Sequence, residues 1–188
     1  MKKIPTLFQR DPVNRALVLP DYNPDIDLLR LANARATVKW DGTACMIDDL
    51  GYFWKRYTLK PGKSPPPRFL RADEPDPVTQ KEPGWAPVED TPENRWHWEA
   101  YKAGNPRPIS GTYELVGPKV QGNPYSLQRH YLFAHGSDDY WSLVPIDFDG
   151  LRGLLGEVDD EGVVWWEGGE PIAKIKRRDF GFPWPMTH

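Results

Sequence analysis

Apolar and polar residues alternate over short stretches of this chain, which is the pattern of β-strands with one buried face. The clearest stretch is YFWKRYT at 52–58, whereas helical spacing is confined to a few segments such as DIDLLRLANA at 25–34. The acidic start of that segment suits a helix N-terminus. The pattern predicts strands near 36–40, 44–48, 51–58, 111–117, 130–134, 142–146, 162–167 and 171–177, and helices near 25–34, 91–102 and 149–156. Many short strands with few helices predict an α+β fold with antiparallel sheets.

Two segments follow neither period and are predicted to be loops. Residues 1–24 are interrupted by prolines and are expected to wrap the surface, while residues 61–90 are rich in proline and charge. We expect the second segment to be a long functional or mobile loop. With 21 prolines and 16 glycines in 188 residues, loops should be many and regular elements short. The length predicts a single domain over 1–188 that carries this loop.

Charge and cysteine content narrow the class of protein. The net charge of -3 does not indicate nucleic-acid binding through bulk electrostatics, although Lys174, Lys176, Arg177 and Arg178 crowd one segment. Cys45 is the only cysteine, which excludes an internal disulfide and a thiolate zinc cluster. No signal-like segment opens the sequence, and no apolar run approaches the roughly 20 residues that span a bilayer. We therefore expect a cytoplasmic protein with no membrane association.

The stretch VKWDGTAC at 38–45 raises a question of chemistry, because a lysine ends an apolar run and Asp-Gly follows almost at once. As structure alone, residues 36–38 form a short buried strand, Asp41-Gly42 forms a turn, and Lys39 is a solvated side chain at the strand end. As chemistry, a lysine at the rigid end of a strand is well placed to act as a nucleophile. The stretch by itself is compatible with both interpretations.

Other motifs favour the chemical interpretation. Lys39-Trp40-Asp41-Gly42 fits KxDG, the motif of the nucleophilic lysine in covalent nucleotidyltransferases, and matches to further motifs of that superfamily follow in order. These are Arg56 in the third strand, YELVG at 113–117, EGVV at 161–164 and KIK at 174–176. Longer segments, namely KIPTLFQRD, YFWKRYTLKPGK, PGWAPV, YELVGPKVQGNPYSL, AHG and EGVVWW, resemble the small 5′-to-3′ RNA ligases of the RNA ligase 1 family. The resemblance covers nearly the whole chain, although the part between Pro67 and Gly111 is shorter than expected for animal members.

The resemblance implies a ligase-type nucleotidyltransferase (adenylyltransferase) domain with no C-terminal OB domain. Such an enzyme joins RNA 5′-phosphate and 3′-hydroxyl ends, using ATP, Mg²⁺ or Mn²⁺, and AMP held covalently on Lys39. Lys174 and Lys176 would lower the pKa of this amine and neutralise phosphate charge. The other residues implied are Glu161 for the metal, Glu114 for the AMP ribose or the metal, Arg56 for a phosphate, Phe133 and Val164 around the adenine, and Val38 beside the nucleotide.

Each of these residues also has a plain structural interpretation. Glu114 could be a solvated or cross-strand paired carboxylate, and Lys174 and Lys176 could form one solvated face of a strand. Trp165-Trp166 is expected to pack in the core, while Arg177-Arg178 could bind phosphate or serve only solubility. Four alternative functions stay open at this point: a DNA ligase, a GTP-using capping guanylyltransferase, a non-catalytic RNA-binding module and a structural protein.

Overall fold

The computed structural model describes residues 3–104, 106–137 and 144–186. Its strands are β1 (Phe8–Arg10), β2 (Val18–Tyr22), β3 (Arg35–Val38), β4 (Thr43–Ile47), β5 (Phe53–Leu59), β6 (Leu70–Arg71), β7 (Glu82–Pro87), β8 (Gly111–Val116), β9 (Tyr131–Ala134), β10 (Gly162–Glu167) and β11 (Glu170–Lys176). Its α-helices are α1 (Leu28–Asn33), α2 (Arg95–Ala103) and α3 (Phe148–Glu157), with 3₁₀ turns at Pro92–Asn94 and Arg177–Phe180. The chain divides into two compact units, a first unit of residues 1–3 and 41–135 and a second unit of residues 4–40 and 136–188.

The second unit is built on an antiparallel sheet in the order β11-β10-β3. Alternate side chains of these strands, among them Val163, Trp165 and Ile175, pack with Leu151 and Leu155 of α3 in one apolar core. Residues two apart on a strand share a face, so this core occupies one face of the sheet. The residues that lie between them in sequence point their side chains to the other face of the sheet.

An aspartate caps the start of α1 and of α3 in this unit. The side chain of Asp27 accepts hydrogen bonds from the N–H groups of Leu29 and Arg30, and that of Asp147 accepts from Gly150. These bonds satisfy N–H groups that the first turn of a helix leaves unpaired. The helix predicted within 25–34 is confirmed, although it is shorter than expected.

The prediction that residues 1–24 wrap the surface is wrong for part of that segment. β1 pairs with β2, and Leu7 and Phe8 are core residues with 0% and 1% exposure. The N–H of Leu7 donates to the carbonyl of Lys174 at 2.8 Å, and the N–H of Lys174 donates to the carbonyl of Pro5 at 3.0 Å. The N-terminal segment is therefore part of the core and is hydrogen-bonded to β11.

The first unit contains an antiparallel sheet of six strands in the order β6-β7-β5-β4-β8-β9, with α2 packed on one face. Cys45, Phe53, Tyr113 and Leu115 point to that face and form its core with Ala100 of α2. Their sequence neighbours on the same strands point to the opposite face, because side chains alternate across a strand. The arrangement gives this sheet a core face and a second, more polar face.

The expected loop at 61–90 is wrong as a continuous loop, because β6 and β7 lie inside it. β7 pairs with β5 over six residues, from Trp54↔Pro87 to Leu59↔Glu82, and β6 pairs with β7. Pro83 and Pro87 lie within β7, while the other prolines of the segment lie outside both strands, so the overall composition concealed the two strands.

The remaining element predictions agree closely with the structure. Of the strand expected near 142–146, residues 142 and 143 lie outside the described residues, and residues 144–146 form no strand. The α+β class with antiparallel sheets is confirmed, while the single domain and the absence of an OB domain stay predictions. Within the described ranges, every helix is too short or too polar to cross a bilayer.

Candidate active site

The end of β3, the start of β10 and the end of β11 bring three candidate residues together in the second unit. Lys39 directly follows β3, and its N–H donates to the carbonyl of Gly162 at 2.8 Å. Glu161 directly precedes β10, while Lys176 ends β11 opposite Gly162. Antiparallel pairing therefore collects the KxDG lysine, the EGVV glutamate and one KIK lysine at one end of the sheet.

Glu161 is the anion to which two lysines bind. Its Oε2 accepts a hydrogen bond from Lys39 Nζ, and its Oε1 lies 2.6 Å from Lys176 Nζ. The carboxylate side chain is only 5% exposed, whereas the side chains of Lys39 and Lys176 are 20% and 31% exposed. A carboxylate with so little water around it depends on these two cations for its stabilisation.

Lys174 lies in the same electrostatic environment and has the clearest pKa shift of the cluster. Burial, followed by the positive charges of Lys39 and Lys176, lowers the pKa of Lys174 to about 8, against the opposing attraction of Glu161 and Asp179. A lysine titrating near pH 8 is neutral far more often than a solvated lysine. The sequence predicted a cationic cluster here, and the structure adds that burial and the neighbouring lysines disfavour the charged form of one member.

Strand alternation decides which candidates share a face in this unit. Lys174 pairs with Val164, which pairs on its other side with Thr37, so these three side chains share one face. Val38 pairs with Val163 and lies on the core face instead. Val164 is therefore on the side of the lysine cluster, whereas the side chain of Val38 is not.

Close backbone approach explains the glycine after Glu161. A Cβ at Gly162 would lie 2.0 Å from the carbonyl oxygen of Ile175, so no larger residue fits without moving β11. The glycine that follows Glu161 thus lets β10 and β11 approach each other next to the carboxylate. This packing requirement is independent of any chemistry at Glu161.

The first unit contains the other three candidate residues, all on the face of its sheet opposite α2. Glu114 pairs with Ala44 on one side and with Phe133 on the other, and Arg56 pairs with Trp85. Directly paired residues share a face, and the flanking core residues occupy the other. The register therefore gives Arg56, Glu114 and Phe133 a common face, as a nucleotide site built on this sheet would need.

Both oxygens of the Glu114 carboxylate are engaged. Oε1 accepts from the N–H of Gly42 at 3.1 Å, and Oε2 lies 2.9 Å from Nε2 of His135. Sequence reasoning missed His135, although its AHG segment was among those that resemble RNA ligases. The available signal was a histidine directly after the strand predicted at 130–134, the next predicted strand after the one that carries Glu114.

Aromatic rings accompany the other two candidates of this face. The guanidinium carbon of Arg56 lies 5.2 Å from the ring centre of Trp85, and burial lowers the pKa of Arg56. Phe133 stacks with Tyr131 at 5.9 Å between ring centres and 12° between planes. A flat ring beside a carboxylate is suited to stacking on a nucleobase.

Arg177 and Arg178 bind backbone carbonyls. Arg177 is 3% exposed, and its guanidinium donates to the carbonyls of Leu155, Val158 and Pro183. Arg178 is exposed but donates to the carbonyl of Trp184. Neither the phosphate nor the solubility interpretation describes Arg177, which instead satisfies carbonyls at the C-terminal end of α3.

The tryptophan pair after the EGVV motif packs as expected. Trp165 is 2% exposed in the core of the second unit, and Trp166 is also buried. The indole N–H of Trp166 donates to Thr37 Oγ1 at 2.9 Å. The prediction that this pair serves packing is confirmed.

The two carboxylates predicted to hold a magnesium or manganese ion are Glu161 of the second unit and Glu114 of the first unit. Among the described residues there is no group of three or more His, Cys, Asp or Glu side chains able to hold a metal. Mg²⁺ bound to nucleotides commonly uses one or two carboxylates, with water and phosphate oxygens as its other ligands. Glu161 and Glu114 are each a carboxylate of the kind such an ion takes, and their assignment to a metal stays a prediction.

Comparison with known proteins gives relatives named RNA ligase 1. No family model matches the chain. The sequence is 26% identical to RNA ligase 1 of Rattus norvegicus over an alignment of 229 positions, which covers 82% of this chain and 69% of the relative. RNA ligase 1 of Mus musculus is 25% identical over 82% of this chain and 69% of that relative. RNA ligase 1 of Danio rerio is 31% identical over 84 residues, which are 40% of this chain and 26% of that relative.

These relatives are RNA ligases, the class that the ordered motifs indicated. Similarity to RNA ligase 1 over 82% of the chain supports its membership of the RNA ligase family.

Proposed function

We propose that this protein is an ATP-dependent RNA ligase that joins RNA 5′-phosphate and 3′-hydroxyl ends through AMP bound covalently to Lys39. One observation carries the proposal: Lys39 and Lys176 share the buried carboxylate of Glu161, with Lys174 in the same electrostatic environment. A lysine fixed this way can attack phosphorus, and the cations beside it can stabilise the charge that develops. The relatives named RNA ligase 1 support RNA as the substrate.

The first step requires Lys39 to lose a proton, which passes to solvent at this 20% exposed side chain, and the nitrogen releases a second proton to solvent once it is bonded to phosphorus. The Nζ of Lys39 donates a hydrogen bond to Glu161, and this bond holds the amine in place before the attack. The neutral nitrogen attacks the α-phosphorus of ATP, an N–P bond forms, the bond from that phosphorus to the bridging oxygen breaks, and pyrophosphate leaves. Loss of the ammonium charge also frees Glu161 Oε2 from its ion pair with Lys39.

Lys174 and Lys176 have complementary parts in this step. Lys176 is ion-paired to Glu161 and is suited to bind a phosphate oxygen as a point charge. Lys174, with its pKa lowered to about 8 by burial and by the neighbouring lysines, still carries a positive charge in most molecules at neutral pH and can stabilise a charged phosphate oxygen. Phosphoryl-type transfer depends mainly on such positioning and charge stabilisation.

A divalent cation would be held through water or directly by Glu161 and Glu114. When bound, Mg²⁺ or Mn²⁺ supplies charge that polarises the phosphate oxygens. The carboxylate of Glu161 becomes available for this role when Lys39 is neutral.

Arg56, Glu114 and Phe133 are the proposed nucleotide-binding residues of the first unit. The carboxylate of Glu114 accepts hydrogen bonds and suits the ribose hydroxyls, the planar guanidinium of Arg56 suits a phosphate, and the ring of Phe133 suits the adenine. Val164 is the proposed apolar contact on the second unit. The same lysine and carboxylates would serve the transfer of AMP to an RNA 5′-phosphate and its displacement by a 3′-hydroxyl. The single cysteine suits a reducing compartment, and we propose the cytoplasm.

The test is covalent labelling followed by denaturing electrophoresis. Protein incubated with Mg²⁺ and ATP labelled at the α-phosphate should gain one AMP that is stable to base and labile to acid, as a phosphoramidate is. Lys39→Ala should gain none while keeping a cooperative melting transition, at a somewhat lower temperature because Glu161 loses one of its two cations. Lys102→Ala, which changes an exposed lysine of α2, should label normally.

Labelling by GTP in place of ATP would instead indicate a capping-type guanylyltransferase. Faster sealing of nicked DNA than of RNA would indicate a DNA ligase. Absence of labelling with both nucleotides would leave a non-catalytic RNA-binding module.

A further inference from the structure

The imidazole ring of His135 lies between the side chains of Glu114 and Thr112 and contacts each of them through one ring nitrogen. Its Nε2 lies 2.9 Å from Glu114 Oε2, and its Nδ1 lies 3.1 Å from Thr112 Oγ1. The side chains of His135 and Glu114 are 13% and 14% exposed. Little water can compete for these bonds, so both ends of the imidazole ring are set by protein groups.

The register of two strands produces this contact. Tyr113 of β8 pairs with Ala134 of β9, and the N–H of His135 donates to the carbonyl of Thr112 at 2.9 Å. His135 therefore follows β9 directly opposite Thr112. Thr112 and Glu114 are two apart on β8 and share a face, so the ring reaches both side chains.

The partners determine which nitrogen carries the hydrogen. An ionised carboxylate can only accept, so Nε2 of His135 donates to Glu114. The hydroxyl of Thr112 can donate or accept, and it therefore satisfies Nδ1 in the neutral or the charged ring. The imidazole thus presents a donor of fixed direction to Glu114 whichever form it takes.

We propose that His135 is a positioning residue for the nucleotide, acting through Glu114. A carboxylate has about four lone-pair sites, and the bonds from Gly42 and His135 leave room for the hydroxyl groups of a ribose. Without His135, the bond from Gly42 is the hydrogen bond to this carboxylate that remains within the described part of the chain. The carboxylate can then rotate about its side-chain torsions, so its free lone pairs lose their common direction. This inference rests on the proposed function, because it assumes that Glu114 meets the ribose.

The experiment measures binding of α,β-methylene-ATP by calorimetry, because this analogue cannot release pyrophosphate and leaves Lys39 unmodified. His135→Ala should weaken binding about tenfold, the size of one hydrogen bond to a charged group. His135→Gln places an amide donor near the position of Nε2 and should stay within about threefold of wild type. Thr112→Val should weaken binding where Thr112→Ser does not, since only serine keeps the hydroxyl.

A double-mutant cycle separates positioning from a merely structural role. In a Glu114→Ala background, His135→Ala should cost no further affinity, because the group through which it acts is gone. Equal losses with and without Glu114, or no loss in either background, would overturn the inference. Thermal melting of each variant in the absence of nucleotide identifies any that lose affinity through unfolding, and the Thr112 pair then gives the decisive comparison.

A failure of the proposed function has a different signature. If wild-type protein binds no α,β-methylene-ATP and gains no AMP from ATP, the ligase proposal fails and the inference with it. If wild type binds the analogue and is labelled on Lys39, while His135→Ala matches it in affinity, only the role of His135 is refuted.

Discussion

Replacing Lys174 by methionine should stabilise the protein while slowing AMP attachment. Methionine keeps a long unbranched side chain and removes a charge that burial and two neighbouring lysines disfavour. The pKa of Lys174 falls from the ordinary value of 10.5 to about 8 in the folded protein. In the unfolded chain the same ammonium is hydrated, so at neutral pH the removal of this hydration lowers the free energy of unfolding.

The pKa shift sets an upper limit on the gain in stability. A change from 10.5 to about 8 corresponds to about 3.4 kcal/mol at 1.36 kcal/mol per unit. Lys174 is only partly buried, and water screens the repulsion from Lys39 and Lys176, so a gain of about 1–2 kcal/mol at pH 7 is realistic. That corresponds to a rise in Tm of roughly 2–8 °C for a chain of this size.

The pH dependence has a definite sign. Between pH 8 and 10.5 the unfolded chain holds more protons on Lys174 than the folded protein does, so wild-type stability gains with rising pH across this window. The variant lacks that contribution. Its advantage over wild type should therefore be complete below pH 8 and shrink towards zero by pH 10.5.

Urea unfolding in metal-free buffer at several pH values, analysed as a difference from wild type, measures the effect. Lys176→Met is the matched control, because Lys176 is ion-paired to the buried Glu161 at 2.6 Å. Its removal should destabilise by about 1 kcal/mol, the opposite sign. If Lys174→Met is no more stable than wild type at pH 7, or keeps its advantage at pH 10.5, desolvation of Lys174 is not the source of the effect.

Three further predictions concern other parts of the chain. Arg177→Ala should lower the free energy of unfolding by about 3 kcal/mol, since it leaves buried carbonyls without donors; a loss below 1 kcal/mol in urea unfolding would contradict this. Burial, then Lys55 and His130, lowers the pKa of His97 to about 4, and its ring nitrogens have no hydrogen-bond partner in the part of the chain described. The unfolded chain therefore binds more protons at His97 between pH 4 and 6.5, and His97→Phe should reduce the acid-induced loss of stability over that window by about 1–2 kcal/mol; an unchanged pH profile would refute the assignment. Replacing the 3′-terminal ribonucleotide of the RNA by a 2′-deoxynucleotide, which keeps the attacking 3′-hydroxyl, should slow sealing in a gel assay without affecting AMP attachment to Lys39, because the 2′-hydroxyl can donate and accept a hydrogen bond; equal sealing of both ends would argue against RNA-specific recognition.

Features that depend on short-range order could be predicted from the sequence. Alternation placed β5, β8, β10 and β11 within a few residues of their observed bounds, because a strand with one buried face repeats every two residues. The same period predicted that Lys174 and Lys176 lie on one face. The order of the motifs, from KxDG to KIK, indicated the class of protein before any contact was known.

Features that depend on partners distant in sequence required the tertiary structure. Arg177 resembles a surface charge in sequence, but its carbonyl partner at Leu155 is 22 residues away. His135 and Glu114 are 21 residues apart and meet only because β8 and β9 pair in one register. Local sequence specifies backbone preference and the period of burial, whereas the environment of a polar group depends on which distant backbone and side-chain atoms the fold brings to it. The residues that could carry the chemistry were therefore visible in the sequence, and their ion pairs, exposure and pKa shifts were decided by the fold.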